Sequence, residues 1–540
     1  MRIYVRVFLL SLVLAFLTGC ATHQQFVDNR FTLPDKIEPE QGIVVLKIIG
    51  VQPLSLFNAK WQTLRLTNKA SGQSLSLEDT AQPFASYSLF MGALPNGQYE
   101  ISDLESVGPT PAGFGILPLL IIGALTSDNQ SVGHKLGSFT IKSETLTNLG
   151  TVVSALPAEK GGQPKLAVLA DHAGQSAALA DVTPTAKARI AKLNALGWDN
   201  PPNTDASARA LDIIRTSNSN ISAIESTPDG RIIAGSVLGM LHSRSPEGKW
   251  TSQSVGGFDT IIYVRALANG RIFAGTDNGK YFLWLPDQKR WVEHRVTNED
   301  FKVTHVEPMG EIGFAIQAAS THQPTLSNPI KTRILFKAKL EDAAEASEML
   351  SIDGFSAFTK LVTFFTGDEL LVFFNQVGFS RVADRYRVNP VSFAKTQDIV
   401  PYWAADMYRL PDNTLVLNRM NGLSIYNSFS TDNGKTWIDN ENSGPNAMRY
   451  IDTNTGYGFS HVSTGWSTVT VSLSKTQDGG KTWQAVGTPI DVAGALPIRI
   501  LGKRLFVFTG QKVLSTVDEG GTWDTEWPLA ANNTSAKLGD

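Results

Sequence analysis

The chain has 540 residues, too many for one compact core, so two folded units with connectors are expected. Charged residues make up 18%, the formal net charge is −3 and no Lys/Arg-rich stripe is present, which argues against a nucleic-acid partner. A single cysteine, Cys20, rules out a disulfide framework within the chain.

In chain order, Arg2 and Arg6 precede an apolar stretch over residues 7–17. That stretch is too short to cross a bilayer and has the length of a secretory signal. The following Leu17-Thr-Gly-Cys20 resembles a bacterial lipobox. The resemblance implies a signal peptide over 1–19, cleavage before Cys20, and acylation of its thiol and new amino group. An ordinary signal with an incidental cysteine is the alternative. Ala21 and Thr22 follow where Asp would retain a lipoprotein at the inner membrane. The resemblance therefore implies the outer membrane of a Gram-negative bacterium, with the body facing either periplasm or exterior. Several acyl chains together anchor durably. Residues 20–41 are polar and read as a lipidated tether.

Residues 42–157 have strand character. Ile43-Val-Val-Leu-Lys-Ile-Ile49 reads as a buried strand, and Trp61-Gln-Thr-Leu-Arg-Leu-Thr67 alternates with period two. Leu94-Pro-Asn-Gly-Gln-Tyr-Glu-Ile101 sets a turn before a strand, and Phe139-Thr-Ile-Lys142 and Leu149-Gly-Thr-Val-Val153 complete the set. The pattern predicts a small β-sandwich. Within it, Gly113-Phe-Gly-Ile-Leu-Pro-Leu-Leu-Ile-Ile-Gly-Ala-Leu125 is almost wholly apolar. It reads either as core or as an exposed loop touching lipid or a partner protein. Residues 158–215 read as a helical connector. Thr183 suits an N-cap, Pro184 a first turn and Gly197 a C-cap for one helix over 183–197, and a second short helix is expected over 205–215.

From residue 216 to 530 the chain repeats itself. Gly230-Arg-Ile-Ile-Ala-Gly-Ser236 returns 40 residues later as Gly270-Arg-Ile-Phe-Ala-Gly-Thr276. Toward the end, Ser430-Thr-Asp-Asn-Gly-Lys-Thr-Trp437 recurs as Thr476-Gln-Asp-Gly-Gly-Lys-Thr-Trp483 and Thr516-Val-Asp-Glu-Gly-Gly-Thr-Trp523. The shared aspartates Asp432, Asp478 and Asp518 stand 46 and 40 residues apart, the period of a four-stranded propeller blade. Worn copies lie at Ser243-Arg-Ser-Pro-Glu-Gly-Lys-Trp250 and Pro286-Asp-Gln-Lys-Arg-Trp291. Strands such as Leu370-Leu-Val-Phe-Phe374 and Thr414-Leu-Val-Leu417 fill the middle, and Leu340-Glu-Asp-Ala-Ala-Glu-Ala346 reads as a short helix or loop insertion. The fold class expected is all-β: an N-terminal β-sandwich, a short helical connector, a propeller of roughly seven blades and a tail over 531–540.

The chemistry of the repeated unit is that of a turn. Asp accepts backbone N–H groups of its own bend, Gly (434, 480, 520) supplies positive φ, and Trp (437, 483, 523) carries apolar surface into the gap between sheets. The opening hydroxyls are Ser430, Thr476 and Thr516, and Lys435 and Lys481 are expected to face water. The unit resembles the Asp box of sialidase-type (BNR) repeats. The resemblance implies a structural role on the hairpin between the outer two strands of a blade, away from the central pocket.

A sialidase would need three carboxylate-binding arginines, a Tyr–Glu nucleophile pair, an Asp acid and a Phe-Arg-Ile-Pro-like segment ahead of the boxes. No such segment opens the repeats; Pro497-Ile-Arg499 is the nearest fragment, near the end and in the wrong order. Arg265, Arg387 and Arg449 are scattered candidates for carboxylate binding. The eight His form no metal motif, and no nucleophile elbow or phosphate loop is found. Asp384-Arg-Tyr-Arg387 reads as a solvated loop or, alternatively, as pocket lining. No catalytic residue, metal or cofactor is assigned. The expected function is an outer-membrane-anchored binding or assembly platform for an envelope protein or glycan, as in the non-catalytic propellers the repeats also resemble. The alternative is a glycan-active hydrolase or lyase.

Overall fold

The computed structural model describes residues 37–51, 61–81, 87–106, 130–132, 136–155, 165–169, 188, 190–200 and 206–217. It also describes 221–528 apart from 222, 258, 298–300, 322–328, 355–358, 377–382, 401–403, 422–423, 465–468, 493–497 and 510–511. Cys20 and the 113–125 segment lie outside the described residues.

The N-terminal part is two sheets sharing one core. Its strands are β1 (Gln41–Val51), β2 (Trp61–Asn68), β3 (Ser74–Glu78), β4 (Tyr87–Pro95), β5 (Gly97–Ser106), β6 (Gln130–Val132), β7 (Ser138–Ile141), β8 (Thr145–Ala155), β9 (Lys165–Leu169), β10 (Asn194–Leu196) and β11 (Trp198–Asn200). One sheet runs β10-β8-β1-β4 with β9 also on β8, and the other runs β11-β7-β5-β2-β3 with β6 also on β5. Val44, Leu46, Ile48, Leu149 and Val152 of the first meet Leu64, Leu66, Ile101 and Phe139 of the second. Trp61 spans the gap and donates its indole N–H to Ser154 Oγ at 2.8 Å. The first sheet is buried on both faces, which is why β1 is apolar on both sides from Ile43 to Ile49 apart from Lys47.

The connector expected over 158–215 is not helical throughout. β9 and β10 share the outer edge of β8, the one antiparallel and the other parallel. The helix read over 183–197 gives way to strand by Asn194, because β8 offers unpaired backbone groups that the cap signals at Pro184 and Gly197 do not offset. A helix, α1 (Ala206–Thr216), does follow. It buries Ala210, Leu211, Ile213 and Ile214 between Val153 and Leu169 of the N-terminal sheet and Val237, Leu238 and Met240 beyond it.

Beyond α1 the described chain forms seven four-stranded antiparallel sheets, each with its strands in chain order. They are sheet I (223–254), II (261–295), III (301–354), IV (359–400), V (404–439), VI (446–492) and VII (498–527). First strands of successive sheets touch, so the first strand of each lies innermost. Every junction between neighbours has its own apolar cluster, from Leu241 against Phe282 at I–II to Phe459 against Val507 at VI–VII. Sheet VII returns to sheet I, where Phe506, Phe508 and Trp527 pack on Ile232, Ala234 and Trp250. This is the radial arrangement of a β-propeller, in which closure shields the flat faces of all sheets. The Leu340–Ala346 stretch is a turn, not a helix, and its buried Leu340 carbonyl accepts the Tyr281 hydroxyl.

The closing junction carries a polar clasp. Glu526 of sheet VII is 5% exposed and accepts Arg244 Nε at 2.8 Å and the Trp250 indole N–H at 2.9 Å, both from sheet I. Its other oxygen accepts Ser515 Oγ at 2.6 Å and Arg504 Nη1 at 3.4 Å within sheet VII. Beside it, His242 lies 4.5 Å from the Trp527 ring, its two nitrogens each 2.8 Å from a serine Oγ, of Ser236 and Ser252.

Candidate functional site

The three boxes are closed structural units. Their first hydroxyls, at Ser430, Thr476 and Thr516, are at most 2% exposed. In each, the hydroxyl donates to the aspartate (2.8, 2.8 and 2.7 Å) and accepts the N–H of Gly434, Gly480 or Gly520 (2.8, 2.8 and 2.9 Å). Asp432, Asp478 and Asp518 then accept both the N–H and the hydroxyl of Thr436, Thr482 and Thr522. These bonds hold the Asp478 and Asp518 carboxyls down to about 2; burial pushes Asp432 up, but Thr436 and Ser430 outweigh it and bring it to about 2 as well. Trp437, Trp483 and Trp523 each join the cluster between their own sheet and the preceding one. Trp291 and Trp250, from the worn copies, do the same at junctions I–II and VII–I. Lys435 and Lys481 are exposed.

The chemistry-bearing residues converge instead on the innermost strands. Glu307 of sheet III is 2% exposed and accepts Arg265 Nη1 of sheet II (3.3 Å), Arg409 Nη2 of sheet V (3.3 Å) and the Phe365 N–H of sheet IV (3.0 Å). Burial raises the Glu307 carboxyl, but His305, Arg265 and the Phe365 amide together hold it below its ordinary value. His305 Nε2 stands 3.6 Å from Glu307, and burial with the nearby arginines keeps the ring neutral at pH 7. Further round, Arg449 of sheet VI pairs with Asp406 of sheet V at 3.2 Å and lies 3.9 Å over the Tyr408 ring. Arg499 of sheet VII makes no ion pair among the described residues; burial, then Arg449, push it down to about 10. Glu225 of sheet I has its carboxyl raised by burial, against Ser226 N–H, Arg265 and Arg499. Charges of both signs thus meet on the inner strands of sheets I, II, III, V, VI and VII, and at VI and VII two arginines adjoin. Burial raises the hydroxyls of Tyr263 and Tyr408, and Tyr408 Oη accepts the Tyr450 N–H at 2.8 Å, so neither is poised as a phenolate.

Of the arginines singled out in the sequence as carboxylate binders, Arg265 and Arg449 belong to this cluster, and Arg499, noted there only as part of a misplaced fragment, joins them. Arg387 does not: it lies in the third strand of sheet IV. Glu225, Tyr263, Glu307, Asp406, Tyr408 and Arg409 escaped the sequence reading. A signal existed for two groups, since Glu225 and Arg265 each stand five residues before the repeated glycines Gly230 and Gly270.

The Asp384-Arg-Tyr-Arg387 segment is a strand (Ala383–Val388), not a solvated loop. Arg385 and Arg387 line a cleft of about 280 Å³ with Thr366, Asp368, Glu369 and Lys435. Among the described residues, no group of three His, Cys, Asp or Glu could hold a metal ion.

No family model matches the chain, and no curated protein matches it. Similar solved structures include a virginiamycin B lyase from Staphylococcus aureus, with 10% identity over 55% of this chain and 94% of that one, TM-score 0.36. Another is an ulvan lyase of polysaccharide lyase family PL25, with 10% identity over 58% and 94%, TM-score 0.37. A third is BamB from Moraxella catarrhalis, with 9% identity over 55% and 84%, TM-score 0.31. Likeness at this level concerns architecture alone.

Proposed function

We propose that this chain is an outer-membrane-anchored lipoprotein in which a β-sandwich and a seven-bladed Asp-box propeller form a binding or assembly platform for an envelope protein or glycan. The observation carrying this reading is the state of the inner-strand groups. Glu307 is locked by two arginines and an amide, Asp406 is paired with Arg449, and both tyrosines are held as neutral phenols. Such a set stiffens and charges a recognition face and supplies no activated nucleophile. The membrane part rests on Cys20 and the residues around it.

Two experiments test it. Cys20→Ala is expected to move the protein from the membrane pellet to the soluble fraction; retention in the pellet would refute lipid anchoring. Cross-linking in intact envelopes is expected to trap a partner through Arg449 or Arg499 positions carrying a photoreactive side chain. A second reading, a glycan-active enzyme, is favoured by one observation: Glu225 has a raised carboxyl beside Arg265 and Arg499, the condition of a general acid. Release of new reducing or unsaturated ends from acidic polysaccharide, abolished by Glu225→Gln, would replace the platform reading with this one.

A further inference from the structure

We infer that the cleft between sheets IV and V is a binding site for a small zwitterion, an oxyanion joined to an ammonium group. It lies apart from the inner-strand cluster and does not depend on the platform reading.

The cleft is built where the box turn of sheet V rests on sheet IV. At each boxed junction the preceding sheet donates to a backbone carbonyl of that turn. Asn427 Nδ2 does so to Gly479 O at 3.1 Å, and the Thr488 N–H to Gly520 O at 2.7 Å. Further neutral donors, Asn440 and Asn442 at the first and the Thr488 hydroxyl at the second, complete the job there without any guanidinium. At the IV–V junction the donor is Arg385, whose Nη1 reaches Gly434 O. Arg387 is added two residues on, facing the same side of the strand. The structural task therefore leaves an excess of guanidinium donors. The two arginines share one carboxylate, Asp398 Oδ2, at 3.0 and 3.3 Å. Arg387 meets it through Nε, whereas the Nε of Arg385 is buried without a hydrogen-bond acceptor. Lys435 of the box turn adds a third cation to the cleft.

The cleft also holds acidic side chains. Asp368 and Glu369 come from the turn between the first two strands of sheet IV, the sheet that carries the arginines. Neither they nor Lys435 makes a side-chain hydrogen bond or ion pair among the described residues. Three cations, Asp398 and these two carboxylates make the cleft nearly neutral, with charge of both signs. A ligand carrying one charge only would be attracted by one set and repelled by the other. A zwitterion satisfies both, with the arginine forks taking its oxyanion. The volume of about 280 Å³ falls just below that of drug-sized sites, which run from about 300 Å³ upward, so it suits an amino acid or the end of a peptide.

The test is calorimetric titration of the full chain in detergent with four probes. These are alanyl-alanine, its N-acetyl form (anion only), its C-terminal amide (cation only) and free alanine, which brings the charges closer together. Saturable binding of alanyl-alanine or alanine is expected, weakened about tenfold or more by blocking either charge. A preference between the dipeptide and free alanine distinguishes a peptide end from a free amino acid. Arg387→Ala and the pair Asp368→Asn with Glu369→Gln are each expected to weaken binding about tenfold. The melting temperature without ligand should not change, since none of these residues holds the box turn. Equal affinity for the N-acetyl probe would overturn the proposal in favour of an anion site. So would the absence of binding up to about 10 mM, or binding untouched by Arg387→Ala.

Discussion

Glu526→Ala tests how the ring of sheets is held shut. The carboxylate serves four donors, two from sheet I and two from sheet VII. Its removal strands the Arg244 guanidinium, whose side chain is only 10% exposed, and leaves the Trp250 indole N–H without its acceptor. Removing one partner of a buried, hydrogen-bonded pair costs about 3–5 kcal/mol, because the remaining charge is neither paired nor hydrated. Roughly 300 residues unfolding together carry about 0.6 kcal/mol/K of unfolding entropy, so melting should fall by about 5–8 °C. Glu348→Ala breaks a pair whose members are 33% and 48% exposed, and should cost less than about 1 kcal/mol, or about 2 °C. Thermal unfolding followed by circular dichroism measures both. Adding Arg244→Met to Glu526→Ala should recover part of the loss by removing the stranded charge. A Glu526→Ala melting curve indistinguishable from that of Glu348→Ala would refute the clasp.

Other consequences can be measured in the same way. His242 is pushed down to about 3 by burial, with Arg215 adding to the effect, whereas in the unfolded chain it titrates near 6.5. The unfolded state therefore binds the extra proton, and stability is full above about pH 6.5 and declines toward pH 3, by up to about 1.4 kcal/mol per pH unit. Denaturant titrations at pH 7 and pH 5 should show this loss in the native chain and a smaller one in His242→Gln; equal losses would exclude His242 as the source. Gly480→Ala would place a Cβ 2.4 Å from Tyr450 Oη and 2.7 Å from Asn427 Oδ1, at a φ of +91°. It should cost about 1–3 kcal/mol for overpacking beyond the roughly 1–2 kcal/mol of left-handed backbone. Gly256→Ala has a φ of +94° but open space, so it isolates the backbone part, and equal costs would count against the packing argument.

The parts of the fold that were legible are those whose cause is local. The boxes could be read because hydroxyl, Asp, Gly and Thr bond within a few residues of one another. The strand at Trp61–Asn68 could be read because Leu64 and Leu66 are buried while Arg65 and Thr67 are not. Illegible features have distant causes. Asn194–Leu196 is strand because β8, some fifty residues earlier, has a free edge, and nothing near Asn194 announces it. The Arg265–Glu307–Arg409 triad spans 42 and 102 residues, so no spacing rule could join its members. The cleft was half visible: Arg385 and Arg387 drew notice, but Asp368, Glu369 and Lys435 become their neighbours only when a turn of sheet IV meets a turn of sheet V.

α1 packs on the propeller next to its seam, against Val237, Leu238 and Met240 of sheet I. A pull applied through the N-terminal sheets is thus delivered beside the one joint made by non-consecutive chain, where sheet I leans on sheet VII. Mechanical load would open the disc there before shearing any sheet, because peeling a side-chain joint asks less force than sliding a backbone ladder. A body pulled from its N-terminal sheets would therefore loosen along a predetermined line.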